Sequence, residues 1–402
     1  MKPIVPAERT KNVQYAIRDL AVAAGELKSQ GVSDILYLNI GDPNVYDFVT
    51  PAHMIDAVDK AMRENKNGYV DSLGIAEARE ALEKEYRGRG VRADMERILV
   101  TAGVSEGLEL ALASLVNSGE NFLTPAPGYP LYTAVLNKLG VKPRLYMTSE
   151  ENGWQPDLQN IKTKIDKNTR GILINNPNNP TGAVYPDKTL LEILDIAREK
   201  NLLIFADEIY NKILFNGGKH TPIASLASET PLLTFGGLSK NYLVPGWRIG
   251  WMAFTGPEKT IGDYREAVYR LARARLCAPG PFQYAIKPAL EGPQDHIREM
   301  NAKLQKRSDL VVERLNAMKG VHVTKPMGAF YVFPGIDAPI SDDKGFVLDA
   351  LGKEHVLVVH GTGFDWPKDE KTHIRIVTLP KEEILEGAMG RLEKRMQELY
   401  PE

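Results

Sequence analysis

A lysine in an apolar, glycine-rich segment is the first residue of chemical interest in this sequence. Lys240 lies in FGGLSKNYLVPGWRIG, residues 235–250, and precedes Arg248, which stands between Trp247 and Ile249. A lysine at such a position is either a solvated loop residue or an amine whose surroundings make it reactive. The segment alone is more typical of a loop, so other polar residues must decide between the two interpretations.

The elements that would position these residues follow from the apolar patterning. We predict buried strands at ERILVT (96–101), NFLTPAP (121–127), RGILINNP (170–177), NLLIFADE (201–208), PLLTFGG (231–237) and RIGWMAF (248–254). Helical spacing of apolar residues occurs between them, at residues 105–117, 132–140 and 187–200. Strands that alternate with helices indicate an α/β fold with a mostly parallel, doubly wound sheet.

The length of the chain, 402 residues, predicts two domains, because a single core rarely grows so large. We expect a large domain at residues 48–285. A long helical stretch then precedes VHVTKPMGAFYVFPGI and HVLVVHGTGF, which indicates a smaller α+β domain. Residues 1–47, which end in the strand-like DILYLNIG, are expected to pack with residues 286–402 in that smaller domain.

Polar residues follow several of the predicted strands. Ligands of open parallel sheets bind outside the carboxyl ends of the strands, where these residues would meet. The candidates are Asp207 and Tyr210 after LLIFA, Asn179 after ILI, Ser239 and Lys240 after LLTFGGL, and Ser105 after ILVTAGV. An acid, a phenol, an amide, hydroxyls and an amine would thus share one edge, which predicts a site.

This set of side chains suits pyridoxal phosphate. A neutral lysine amine can form a Schiff base with an aldehyde, and this cofactor offers an aldehyde on an electron-withdrawing ring. A buried carboxylate beside the ring nitrogen favours its protonated form, and Asp207 fits that role. Tyr210 and Asn179 are suited to contact the 3-oxygen of the ring. A phosphate needs backbone N–H groups at a helix start and a cation, which are available at Val104, Ser105 and Glu106 and at Ser239 and Arg248.

The same segments carry a resemblance to a known family. In their order along the chain, NPNNPTG, DEIY, SKNYLVPGWRIG and HIRIVTLP resemble the class I aminotransferases, which are pyridoxal phosphate-dependent transferases of fold type I. The resemblance covers essentially the whole chain. Within this family the sequence is most similar to the bacterial and archaeal glutamate–pyruvate (alanine) aminotransferases, through YAIRDL, LNIGDP, GVSEGL, PAPGYPLY, NNPNNPTGAVY, ADEIY, GLSK and VHGTGF. Each segment alone is a weak signal, whereas the combination is specific.

The resemblance assigns roles to individual residues. It implies that Lys240 holds the cofactor, that Asp207 pairs with the ring nitrogen, and that Tyr129 stacks on the ring. The other implied contacts are Asn179 and Tyr210 with the 3-oxygen, Ser105, Ser239 and Arg248 with the phosphate, and Gly41, Asn179 and Arg375 with the substrate. Tyr69 would reach the phosphate of a partner subunit, which implies a homodimer. Glu106 departs from many relatives, because an acid stands beside the phosphate position.

The implied activity is a ping-pong transfer of an amino group between an L-amino acid and a 2-oxo acid. L-Alanine and 2-oxoglutarate are the expected substrates, and Lys240 would serve as Schiff-base partner and as general base. Arg273 or Arg275 is nominated for the side-chain carboxylate of glutamate. Alternatives are a valine or aromatic donor, a lyase or cyclising enzyme of the same fold, and a regulatory module without turnover. That module would carry a DNA-binding domain ahead of it, for which the sequence shows no room.

Composition excludes several other classes of function. The net charge of -2 argues against general attraction to nucleic acid or to an anionic membrane. The chain has a single cysteine, Cys277, which allows no internal disulfide. The sequence also lacks the G-x-G-x-x-G motif that a nicotinamide-binding site is expected to show after the first strand. His360 and His373 show no ligand partner at metal spacing along the chain, so no metal site is expected. We interpret the protein as cytoplasmic, since no signal-peptide core or run of about 20 apolar residues occurs.

Overall fold

The computed structural model describes residues 3–13, 16–227, 229–337, 340 and 342–400. Its strands are β1 Leu36–Tyr37, β2 Ile98–Thr101, β3 Asn121–Ala126, β4 Lys142–Ser149, β5 Gln155–Pro156, β6 Thr169–Asn175, β7 Leu203–Asp207, β8 Leu232–Gly237, β9 Gly250–Thr255, β10 Val321–His322, β11 Tyr331–Val332, β12 Gly335–Ile336, β13 Val356–Leu357, β14 Val359–His360 and β15 Thr372–Val377. Its α-helices are α1 Ala16–Ser29, α2 Ala52–Arg63, α3 Ala76–Gly88, α4 Val104–Leu115, α5 Leu131–Lys138, α6 Leu158–Lys164, α7 Asp187–Glu199, α8 Ile223–Leu226, α9 Glu258–Ala274, α10 Gly280–Gln283, α11 Ile286–Glu291, α12 Asp295–Asn316, α13 Asp343–Glu354 and α14 Glu382–Leu399.

The larger sheet has the strand order β2-β9-β8-β7-β6-β3-β4-β5 within the described residues. Strands β4, β3, β6, β7 and β8 pair in parallel, whereas β9 runs antiparallel to both β8 and β2, and β5 runs antiparallel to β4. The predicted α/β fold with a mostly parallel sheet is confirmed. Each of the six strands predicted in this region is present, with ends that shift by at most two residues.

Helices cover both faces of the larger sheet, and this explains the uninterrupted apolar runs of its strands. Strand β7 shows the consequence: Ile204 and Ala206 enter one hydrophobic core, whereas Leu203 and Phe205 enter the core on the opposite face. Every residue of β7 is buried. The strand ends at Asp207, so this polar residue lies at the carboxyl edge of the sheet.

The smaller sheet has the order β10-β12-β15-β11 in the described part of the chain, and β14 pairs with β15. Strand β1 pairs in parallel with β13, so the N-terminal segment adds to the C-terminal part of the chain. This pairing agrees with the expected packing of residues 1–47, while the domain boundaries at residues 47 and 285 stay a prediction. No helix among the described residues is long and apolar enough to cross a membrane.

Candidate active site

A cavity of about 480 Å³ opens at the carboxyl ends of β6 and β7. Strand register aligns Asn175, the last residue of β6, with Asp207, the last residue of β7. The cavity is lined by all the sequence-predicted site residues except Glu106, Tyr69, Arg273 and Arg275, namely Gly41, Val104, Ser105, Tyr129, Asn179, Asp207, Tyr210, Ser239, Lys240, Arg248 and Arg375. Residues that are far apart in sequence are therefore brought to one place, as expected for the edge of a parallel sheet.

Lys240 follows β8 and points its amine into this cavity. Its Nζ donates a hydrogen bond of 2.8 Å to the carbonyl oxygen of Gly41. Burial lowers the pKa of this amine to about 8, and the positive charges of Arg375 and Arg248 act in the same direction. The carboxylates of Asp42 and Asp207 oppose the shift. The neutral fraction of this amine near physiological pH is thus much larger than that of an ordinary lysine, as suits a nucleophile or a general base.

Asp207 is held by two hydrogen bonds. Its Oδ2 accepts a bond of 2.8 Å from the hydroxyl of Tyr132, and its Oδ1 accepts one of 3.2 Å from the backbone N–H of Ile209. Burial raises the pKa of this carboxyl to about 6, although the hydrogen bonds and the Lys240 amine oppose the shift. The group is therefore largely ionised above neutral pH. A cationic group beside this carboxylate would favour the ionised form further, and the carboxylate would in turn favour the positive charge of that group.

Arg375 lies on β15 and is almost completely buried. Its Nη1 donates to Asn179 Oδ1 at 3.1 Å, and its Nη2 donates to the carbonyl oxygen of Asn39. The guanidinium lies 4.6 Å from the ring centroids of both Tyr331 and Phe364. These ring contacts and hydrogen bonds hold the planar group in place, which suits a carboxylate bound through two parallel hydrogen bonds.

The start of α4 forms the end of the cavity that is best suited to an anion. Gly103 precedes the helix with a φ angle of +80°. No described side chain donates or accepts a capping hydrogen bond at this N-cap position. A Cβ at Gly103 would overlap the guanidinium of Arg248, so glycine permits this close approach. Ser105 and Ser239 line the same cavity. Uncapped N–H groups, hydroxyls and an arginine form a cradle that fits a phosphate.

Four tyrosines and a glycine complete the wall of the cavity. The hydroxyls of Tyr210 and Tyr331 lie 2.9 Å apart. Tyr129 meets the ring of Tyr132 edge-on, with the ring centroids 5.7 Å apart. A side chain at Gly41 would collide with Phe330 and Tyr331, so only glycine leaves room for its carbonyl oxygen to meet Lys240.

Two predicted cofactor residues lie outside the cavity. The Glu106 carboxylate accepts a hydrogen bond of 2.7 Å from the backbone N–H of Ala102 and pairs with Arg275 Nε at 3.1 Å. Its side chain is therefore occupied at the helix start, while a contact of its backbone N–H with a phosphate stays a prediction. Tyr69 is 85% exposed and lines a separate surface cavity of about 630 Å³ together with Cys277.

The arginines nominated for a side-chain carboxylate do not line this cavity either. Arg273 pairs with Glu266 at the surface, and Arg275 donates a hydrogen bond of 2.8 Å to the carbonyl oxygen of Val100. Both side chains are held by α9 and its surroundings rather than by the cavity. Arg18 of α1 does line the cavity and was missed, although the YAIRDL segment contains it. Tyr15 of that segment lies outside the described residues.

Sequence reasoning missed three further features. Asn175 lines the cavity, and its Oδ1 accepts the backbone N–H of Asn179 at 2.7 Å. Tyr132 belongs to the PGYPLY segment, whose second tyrosine could have signalled a polar role. Glu150 and His322 lie beside His373 in the fold, a proximity that the spacing of these residues along the chain does not reveal.

Comparison with known proteins identifies similar chains. The family described as aminotransferase class I and II matches residues 33–392. The glutamate-pyruvate aminotransferase AlaA of Escherichia coli is 43% identical over 398 residues, which cover 97% of this chain and 97% of that protein. The alanine aminotransferase of Mycobacterium tuberculosis is 40% identical over 96% of this chain and 90% of its own length. A solved alanine aminotransferase from Pyrococcus furiosus superposes with a TM-score of 0.94 at 44% identity, covering 98% of this chain and 100% of that one.

Proposed function

Because the chain belongs to the class I and II aminotransferases, we propose that it uses pyridoxal phosphate to exchange amino groups between L-alanine and 2-oxoglutarate. L-Glutamate and pyruvate are the products, and the reaction is reversible. The observation that carries the proposal is the shared cavity of Lys240, Asp207 and Arg375, in which burial gives an amine and a carboxyl pKa values of about 8 and about 6. Relatives named for alanine or glutamate–pyruvate activity support the choice of substrates.

The residues around the cavity fit the cofactor part by part. The α4 start, Ser105, Ser239 and Arg248 suit the phosphate, as the uncapped helix and the close approach at Gly103 indicate. When bound, pyridoxal phosphate supplies an aldehyde for the amino group and a ring that withdraws electrons from the substrate. The residues proposed to hold the ring are Tyr129 on its face, Asp207 at the nitrogen, and Asn179 and Tyr210 at the 3-oxygen.

Each polar side chain then has a defined task. Lys240 attaches the cofactor and, once released, accepts the α-proton of the substrate at Nζ, for which its lowered pKa is suited. Arg375 grips the α-carboxylate, because Tyr331 and Phe364 hold its guanidinium in place. Asp207 stabilises a positive ring nitrogen, and the Tyr132 hydroxyl fixes the orientation of that carboxylate.

Arg18 is proposed to bind the second carboxylate of glutamate. Among the described residues, the cations lining the cavity are Arg18, Lys240, Arg248 and Arg375. The last three are assigned to the cofactor, the phosphate and the α-carboxylate. Arg18 is exposed on α1 and is the remaining cation. A cation at this position can contact the second carboxylate of glutamate, which alanine lacks.

The proposed assembly is a homodimer of a cytoplasmic enzyme. Tyr69 is too exposed to act in its own cavity, which supports a role at the site of a second subunit. Two-fold dimers are the commonest arrangement of soluble oligomers.

A coupled assay tests the function. Purified protein loaded with pyridoxal phosphate receives L-alanine and 2-oxoglutarate, and pyruvate is followed with lactate dehydrogenase. We expect parallel double-reciprocal plots, as a ping-pong reaction requires, and no turnover in Lys240→Ala. Release of more than one 2-oxo acid per cofactor without the acceptor, from a donor with a β-leaving group such as L-serine, would indicate a lyase. Cofactor binding without any turnover would indicate a regulatory module. Valine and aromatic donors in the same assay test the remaining alternative.

A further inference from the structure

We propose that Glu150, His322 and His373 form a binding site for a divalent transition-metal ion, best suited to Zn²⁺, which joins the two sheets. The site is distinct from the cavity of Lys240. Imidazole nitrogens and a carboxylate oxygen are the ligands that Zn²⁺ prefers, and two histidines with one glutamate are a known zinc set.

Strand register explains how the two histidines meet. His322 on β10 and His373 on β15 are both directly opposite Gly335 on β12, the strand between them. Residues directly opposite one another in antiparallel strands point to the same face of the sheet. A Cβ at Gly335 would overlap His322 Nε2 and lie 3.0 Å from His373 Nε2. Glycine at this position therefore lets both imidazoles lean over the middle strand toward each other.

Glu150 approaches this pair from the other sheet, since it follows β4. Its Oε2 lies 3.2 Å from His322 Nε2 and 3.1 Å from His373 Nε2. The ligand atoms of all three residues lie within 4.8 Å of one another. Ligands of a tetrahedral Zn²⁺ with bonds of about 2.0–2.1 Å are separated by roughly 3.3 Å. The ligand atoms thus need little rearrangement to surround an ion.

The hydrogen bonding of His373 calls for a cation at this place. Its Nδ1 lies 2.9 Å from the carbonyl oxygen of Lys371, which can only accept, so Nδ1 carries a proton. In neutral imidazole, Nε2 then carries a lone pair, and this lone pair faces the Glu150 carboxylate. Two acceptors in contact repel each other unless a proton or a metal ion lies between them.

Further contacts favour a metal ion over a proton. A second imidazole, that of His322, faces the same carboxylate oxygen, and its Nδ1 lies 3.6 Å from Asp337. Outer partners of this kind orient metal-bound histidines. Glu150 Oε1 is buried, and no described residue donates a hydrogen bond to it. One proton on His373 would give the His322 imidazole and Glu150 Oε1 no new partner. A metal ion can interact with both, as well as with His373.

The surroundings give rigidity and access. The His373 ring stacks on Phe333 with the ring centroids 5.0 Å apart, and Trp154 and Trp366 meet it edge-on. The three ligands also border a surface cavity of about 740 Å³, through which an ion and a coordinating water can enter. An ion bound here would connect Glu150, beside the larger sheet, with two strands of the smaller sheet.

The test uses untagged protein that has been treated with a chelator and loaded with pyridoxal phosphate. Zn²⁺ is titrated against a chromophoric chelator, and thermal unfolding is recorded with and without the ion. We expect one ion per chain at micromolar concentrations and a rise in Tm. Glu150→Gln and His322→Gln should each weaken Zn²⁺ affinity by at least about 10-fold and reduce the rise in Tm. Gly335→Ala should also weaken binding, although it removes no ligand.

A matched control is available in His355→Gln. His355 Nδ1 lies 2.6 Å from Asp34, but among the described residues this pair belongs to no three-ligand cluster. Its loss should therefore leave Zn²⁺ affinity unchanged. Because His373 is packed in the core, the more accessible Glu150 and His322 carry the test if His373→Gln does not fold. Affinity equal in wild type, Glu150→Gln and His322→Gln would overturn the proposal. A second pair of results would also overturn it: wild-type protein that binds no Zn²⁺ at micromolar concentrations and in which NMR shows a proton on His373 Nε2.

Discussion

The pKa of Lys240 allows a quantitative test of the proposed amine chemistry. Burial lowers this pKa from 10.5 to about 8. At pH 8 about half of the Lys240 amines are neutral, whereas an ordinary lysine has about 0.3% of its amines in that form, so the nucleophilic fraction is larger by about 150-fold. Because the neutral form is the reactive one, reactivity should rise as the pH increases through about 8 and be lost as Lys240 is protonated below it.

Competitive labelling with acetic anhydride measures this titration in the cofactor-free protein. Each lysine is quantified by peptide mapping over a series of pH values, and Lys212 serves as an internal control. Burial lowers the pKa of Lys212, but interactions with Tyr242 and Glu85 outweigh it, so the net shift is upward. Lys240 should therefore be labelled at a much lower pH than Lys212 in the same sample.

A charge variant tests the cause of the shift. Burial lowers the pKa of Lys240, and Asp42 works against it, so Asp42→Asn should move the labelling midpoint below 8. Asp56→Asn, an exposed position on α2, is the control and should leave the midpoint in place. A Lys240 midpoint close to that of Lys212, or an upward shift in Asp42→Asn, would refute the reasoning.

The remaining predictions concern binding, catalysis and assembly. Arg375→Lys should lower kcat/KM by about 10²- to 10⁴-fold for alanine and glutamate alike, because a two-bond clamp is lost; unchanged kinetics with alanine would contradict the role. Asp207→Asn should fold and bind cofactor but lose most activity, and single-turnover α-proton abstraction at the wild-type rate would disprove this. Arg18→Ala should lower the ratio of kcat/KM for glutamate to that for alanine by about 10- to 150-fold, and an unchanged ratio would remove the assignment. The dimer predicted from Tyr69 fails if light scattering finds full activity in a monomer.

Much of the fold was predictable because the strands are buried on both faces. Runs such as LLIFAD leave little choice of structure, and their polar ends could be assigned to one edge of the sheet. Strand β4 was missed, since Lys142–Ser149 mixes exposed and half-buried residues and contains a proline. Its position beside β3 depends on a parallel pairing that no local pattern reveals.

Contacts between distant segments account for what sequence reasoning missed at the sites. Arg18 lies on a helix far from the sheet in sequence, and its approach to the cavity depends on how the N-terminal segment packs. His322 and His373 are separated by 51 positions along the chain, and only the register with Gly335 makes them neighbours. Arg273 and Arg275 show the opposite case, because a local cluster of charge carries no information about which side chains line the cavity.

The placement of α1 has a consequence for how substrate range can evolve. The groups that would make and break bonds stand on the ends of the larger sheet and on β15, whose packing tolerates little change. Arg18, by contrast, is carried by a peripheral helix, which is anchored through the buried residues Leu20 and Ala24. Mutations on the cavity-facing side of this helix can accumulate without disturbing either hydrophobic core. New amino donors can thus be recruited by drift in one exposed helix, while the inherited reaction chemistry is preserved.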